Sequence, residues 1–169
     1  NAKEILADAA ITAANTSKVA ISSTDNVTLT TAEDKAALAV EASNAYVTSA
    51  NALVAEASQA KDAAQLAVDK ATDALNKAIA ASEDTTDETA ALQTANEALV
   101  TANTALTNAN AQLADANATL VSATTLATAI ETATDAIVDA ANNATTTATT
   151  TAALEASQTV TAQTLANEK

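Results

Sequence analysis

Carboxylates dominate the reactive side chains of this 169-residue sequence: 21 Asp and Glu stand against 7 Lys, with no His and no Cys. Nucleophilic catalysis needs a Ser, Thr, Cys or Lys activated by a neighbouring base, usually His, and that base is missing. Carboxylate pairs are the remaining route to acid and base chemistry. Glu131/Asp135 and Asp135/Asp139 stand four residues apart, on one face of a helix. Glycosidase-like work also needs a cleft that holds a sugar between the two groups, and long helices almost without aromatics form no evident cleft. These pairs therefore read as solvated faces; no catalytic residue and no cofactor is assigned, and the chain is expected not to be an enzyme. The other oxygen cluster is Glu83, Asp84, Asp87 and Glu88. Ca²⁺ takes about six to eight oxygen ligands from a loop that a Gly turns, and this segment has neither the D-x-D-x-D-G spacing nor a Gly. Acids at a helix start have a sufficient cause in the helix dipole, so no metal ligand is assigned.

The formal net charge is −14. Phosphate backbones are bound through Lys and Arg that displace counterions, and of these only Lys is present, so nucleic acid is excluded as a partner. An anionic membrane surface is excluded on the same ground, because surface helices bind it through a basic face. No apolar run approaches the ~18 residues of a spanning helix, so no membrane insertion is expected. Divalent cations remain as partners that would screen the acidic surface. The absence of Cys leaves the redox compartment open. Sequons at Asn15, Asn26, Asn117 and Asn143 are expected by chance in a chain so rich in Asn and Thr. The chain begins with Asn1 rather than Met, which is expected of a processed chain or a fragment.

What must position any of these groups is a set of long helices. There is no Gly and no Pro, and 51 Ala and 30 Thr make up nearly half the chain. From Leu92 to Thr119 the text runs in sevens: Leu92, Leu99, Leu106, Leu113 and Leu120 recur, with Ala95, Ala102, Ala109, Ala116 and Ala123 three residues after each. Steps of three and four put both columns on one stripe, the a/d seam of a coiled coil. Ile130 and Ile137 then continue the Ala column, while Ala127, Thr134 and Ala141 continue the Leu column. Asn96, Asn103, Asn110 and Asn117 form a third column, readable as a solvated flank, a hydrogen-bonded ladder or a contact with another subunit. An earlier heptad carries Val40, Val47, Val54, Lys61, Val68 and Leu75, with Ser43, Ala50, Ala57, Ala64, Ala71 and Ala78 three residues on. Lys61 is its one polar knob, read as a stem snorkelling over the seam or as a register device.

The spacing predicts helices over about 31–81 and 86–143. Thr30 with Glu33 and Thr85 with Glu88 have the capping-box spacing that starts each, and the short acidic link between them folds the second back on the first. A shorter helix is expected over about 2–22, with Ala2, Ile5, Ala9, Thr12, Thr16 and Val19 on its apolar stripe and Leu6, Ala13 and Ala20 beside it. Residues 22–30 read as a loop, with a short strand at Val27–Thr30 as the alternative. The Thr-rich run 142–151 reads as a bend, because β-branched residues lose rotamer freedom in a helix, and a last helix follows over about 152–167. The fold class is all-α: a long antiparallel alanine-rich coiled-coil hairpin with shorter N- and C-terminal helices, forming a single elongated domain over 1–169.

Composition also carries likenesses. The richness in Ala, Asn and Thr, the poverty in Cys, His, Trp and Pro, and short helices flanking long ones resemble the core of bacterial flagellins. A Leu/Ala heptad ending in Lys169 is similar to Braun-type murein lipoproteins, whose terminal Lys is joined to peptidoglycan; their lipidated Cys has no counterpart here. An Ala/Thr helix also resembles type I antifreeze proteins. Their Thr repeats every eleven residues, and here only Thr134/Thr145 and Thr150/Thr161 keep that spacing, so ice binding ranks below the rest. The expected function is a non-enzymatic structural subunit that self-assembles into an extracellular filament, sheath or surface layer through coiled-coil packing. The alternative is a non-assembling helical spacer, stalk or binding module of a surface protein. Scarce Lys, absent Cys and abundant Thr and Asn place the chain outside the cell or at its surface. Circular dichroism of the purified chain is expected to show more than half helix, above the roughly one third of an ordinary globular protein; a lower content would refute the architecture.

Overall fold

The computed structural model describes residues 2–20 and 26–167. Three helices account for nearly all of them: α1 over Ala2–Ala20, α2 over Asn26–Ala81 and α3 over Thr86–Asn167. α2 and α3 pack as an antiparallel hairpin, and α1 lies against both at the end away from the hairpin turn. At about 1.5 Å per residue, α2 is roughly 84 Å long and α3 roughly 123 Å. The accessible surface is 10743 Å², against about 7,600 Å² for a compact monomer of this mass. The excess measures how thin the core is.

Both heptads form the seam. Ala95, Ala102, Ala109, Ala116, Ala123 and Ile130 are buried, and the Leu column 92–120 is half-buried beside them. On α2, Val40, Val47, Val54, Lys61, Val68 and Leu75 are half-buried, and Ser43, Ala50 and Ala78 are buried. The Asn column is exposed at all four positions, as a solvated flank.

Two boundaries and one helix face differ from the sequence reading. α2 starts at Asn26, so residues 26–30 are helical and not a loop or strand, and Thr30 lies inside the helix; positions 21–25 lie outside the described residues. α3 runs unbroken through 142–151, so the C-terminal helix is a continuation of the long one. The Thr run stays helical because propagating an existing helix costs far less than nucleating a new one. Thr145, Thr146, Thr147, Thr149, Thr150 and Thr151 each donate Oγ1 to the carbonyl four residues back, at 2.9–3.0 Å. The third difference is the face of α1. Ala2, Ile5, Leu6, Ala9, Thr12, Ala13 and Thr16 are exposed, whereas Ala7, Ala14 and Ser17 are buried with Ala10 and Ile11 half-buried. Small side chains let α1 sit close to two helices at once, and the larger Ile5 and Leu6 do not fit that line.

The hairpin turn is a Schellman motif. Glu83 N donates to Ala78 O at 3.0 Å and Ser82 N donates to Ile79 O at 3.1 Å, satisfying carbonyls that the end of α2 would leave open. Ser82 has φ 57°, the left-handed region that Gly enters freely and a residue with a Cβ enters at a cost. Ser82→Gly is expected to stabilise the chain by about 1 kcal/mol, read as a higher urea midpoint with an unchanged slope.

Candidate functional site

The acidic turn is a helix cap. Asp84 Oδ1 accepts from Thr86 Oγ1 at 2.6 Å and from Thr86 N at 3.0 Å, which satisfies an open donor at the start of α3. Those bonds, the hydroxyl first and the backbone amide second, hold the Asp84 carboxyl below its ordinary range. Thr85 contributes its carbonyl, 3.0 Å from Thr89 N, so the side-chain cap is Asp84 and not Thr85. Glu88 is half-buried, and its Oε2 has no hydrogen-bond partner. Glu83 and Asp87 are exposed. Among the described residues no group of three or more acids, His or Cys is arranged to hold a metal ion. Glu131, Asp135 and Asp139 are exposed along α3. The sequon residues Asn15, Asn117 and Asn143 are exposed on helices, and Lys169 lies outside the described residues.

Polar links between helices concentrate where α1 packs. Thr134, only 2% exposed, places Oγ1 2.8 Å from both Glu33 Oε1 on α2 and Glu131 O on its own helix, so one proton serves two acceptors. Tyr46 is the sole aromatic side chain and is 1% exposed. It fills the space between Ala7 of α1, Ala50 of α2 and Ala116 of α3, and its hydroxyl donates to Asp115 Oδ2 across the hairpin at 2.9 Å. Sequence reasoning passed over Tyr46. The signal was there: Leu29, Ala32, Ala36, Ala39, Ser43, Tyr46 and Ala50 alternate steps of three and four, and every one is buried. This second stripe of α2 lies beside the Val column and runs along the three-helix end.

The remaining features are surfaces. Large apolar side chains are exposed on all three helices, among them Leu53, Leu66 and Ile79 on α2 and Val100, Val121 and Val138 on α3. Two grooves run between helices. One lies between α1 and α2, floored by Ala10, Ala42 and Ala45, with Leu6 and Leu38 along it and Lys3 and Glu41 at its rims. The other lies between α2 and α3 beyond the N-terminus of α1, with Leu53, Ala57 and Ala60 facing Ala105, Ala109 and Gln112. No helix among the described residues is long and apolar enough to cross a membrane. Compared with protein-family models, curated proteins and solved structures, the chain matches none.

Tyr46 makes the three-helix junction sensitive to alkali. Burial, then the bond to Asp115, then the charges of Asp115, Glu4 and Asp8 push its hydroxyl from 10.0 up to about 12. A folded-state value above the unfolded one means that the stabilisation is complete below pH 10 and is lost as pH rises toward 12. Absorbance titration, which sees one tyrosine only, is expected to give a midpoint near 12 in the folded chain. Tyr46→Phe is expected to flatten the loss of thermal stability over that pH range; an ordinary midpoint, or an unchanged pH profile in the variant, would contradict this account.

Proposed function

We propose that this chain is a non-enzymatic structural protein, a self-assembling subunit of an extracellular filament, sheath or surface layer. One observation carries the reading: over residues 51–77 of α2 no side chain reaches full burial, although this stretch faces α3 along its length. An alanine seam contributes helix propensity and close approach but little apolar burial. A two-helix ribbon of this kind gains most from neighbours laid along it. Leu53, Leu66, Ile79 and Val100 supply the apolar positions that such neighbours would cover, and lateral contacts repeated along a rod add burial in proportion to its length.

The alternative is a spacer or stalk that does not assemble. A net charge of −14 favours it, because self-repulsion keeps copies apart. The same charge makes the two readings separable, since salt or divalent cations screen repulsion within about 10 Å at 0.1 M ionic strength. Light scattering and electron microscopy of the purified chain are expected to show ordered assemblies that strengthen as ionic strength or divalent cation concentration rises. A chain that stays monomeric at high concentration and high salt would retire the assembly reading in favour of the spacer.

A further inference from the structure

The α1/α2 groove and the free end of α3 each carry a pair of exposed apolar side chains, Leu6 with Leu38 and Leu154 with Val160. α3 outlasts its partner: Thr134 is already level with Glu33, eight residues into α2, and residues 142–160 are exposed without exception. The overhang 142–167 is roughly 39 Å long. Six of this stretch's first ten residues are β-branched Thr, which are poor helix formers, and most helical stability in proteins comes from packing one face. Such a helix is held best by something that covers one of its faces.

The seam facing α2 runs on through Ala144 and Ala148 and then ends, because its next contact positions are Thr151, Glu155 and Gln158. A different line does: Thr146, Thr150, Ala153, Ser157 and Val160 alternate steps of four and three, with Leu154 at its edge. Glu155 is the only charged residue from 142 to 167, and it lies on the opposite face. The rest of this acidic chain would repel a second copy; this segment does not. Leu154 and Val160 are 59% and 62% exposed and lie about 9 Å apart along the axis. In the groove, Leu6 and Leu38 are both 57% exposed. Leu6 lies near Ala45 of α2, seven residues and about 10 Å from Leu38.

We infer that two copies of this chain pair about a twofold axis near Ala140, each laying the overhang of its α3 into the α1/α2 groove of the other. Leu154 then sits over Leu38 and Val160 over Leu6, with the incoming helix parallel to the α2 that receives it. The three-helix end of each copy becomes a four-helix bundle, and the contact is closed and self-complementary. A strip about 10 Å wide along the ~29 Å of α1, made twice, buries about 1,200 Å² in total, the low end of stable interfaces. This inference rests on the self-association reading and names its first step, a dimer.

The chain's lack of Cys makes the test clean. Leu38→Cys and Leu154→Cys, each exposed in the isolated chain, are made singly and then mixed and oxidised. The mixture is expected to yield a disulfide-linked dimer. Neither variant alone is expected to link, because each Cys stands about 40 Å from its symmetry mate. Sedimentation velocity is expected to show a dimer for the parent chain and a monomer for Leu6→Glu/Leu38→Glu, with helix content retained. A monomeric parent chain, a dimer that survives both Glu substitutions, or a link formed only within one chain of the Leu38→Cys/Leu154→Cys double variant would overturn the exchange. Electron microscopy of the same samples at raised salt separates the two ideas. Dimers without higher assemblies would refute the filament reading alone, and filaments without the mixed disulfide would refute the dimer alone.

Discussion

The structure depends on alanine at the line where helices touch. With a methyl group as the usual contact, the backbones of α2 and α3 can approach toward the lower end of the usual range of about 8–10 Å, and among the described residues larger side chains are buried only at the three-helix end, at Leu29, Tyr46, Leu126 and Ile130. The Leu column of α3 and the Val column of α2 accordingly flank the contact and stop at half burial. Ile5, Leu6, Leu38, Leu66 and Ile79 are left outside. The molecule is apolar on its surface because it is close-packed at its centre, and the resulting accessible area, 10743 Å², belongs to a rod that buries little.

So thin a seam leaves register weakly specified, since one alanine is interchangeable with the next. The few cross-helix groups that differ from alanine therefore matter more than their number suggests. Tyr46 occupies the one place where three helices leave room for a ring, and its hydroxyl ties α2 to Asp115 of α3. Thr134 and Glu33 make the second tie. Both lie at the α1 end. The opposite end is held by the turn, where Ser82 accepts a left-handed conformation so that the last carbonyls of α2 are satisfied and Asp84 caps α3. The register is thus pinned at both ends of the hairpin, and the alanine ribbon between them follows.

Charge has a similar division. Most acids are exposed on the hairpin, where they keep copies apart, while the overhang of α3 has a single acid and presents Thr, Ser, Ala and Val along the line opposite it. A surface arranged this way offers one stretch at which approach carries little electrostatic penalty, and within that stretch residues 142–160 are all exposed.

Periodicity determined the all-α class and the residues of the seam, because a repeat of seven leaves few other ways to bury Leu with Ala, and the short link at 82–85 determined the antiparallel hairpin. The exposed acid pairs were equally legible, since helix dipoles act within a few residues, but the caps were not: Asp84 and not Thr85 caps α3, and Thr30 lies inside α2. The face of α1 was not. Size favoured Ile5 and Leu6 as its buried stripe, whereas close contact with two neighbours selects Ala7, Ala10, Ala14 and Ser17. Local propensity also misjudged the Thr run, where a helix already under way persists through six Thr and two Asn in ten residues. Only the tertiary structure decided which of two overlapping heptads on α2 meets α1, where Tyr46 goes, and that α3 outlasts α2. Each depends on where separate helices stop relative to one another, and no spacing within a single helix encodes that.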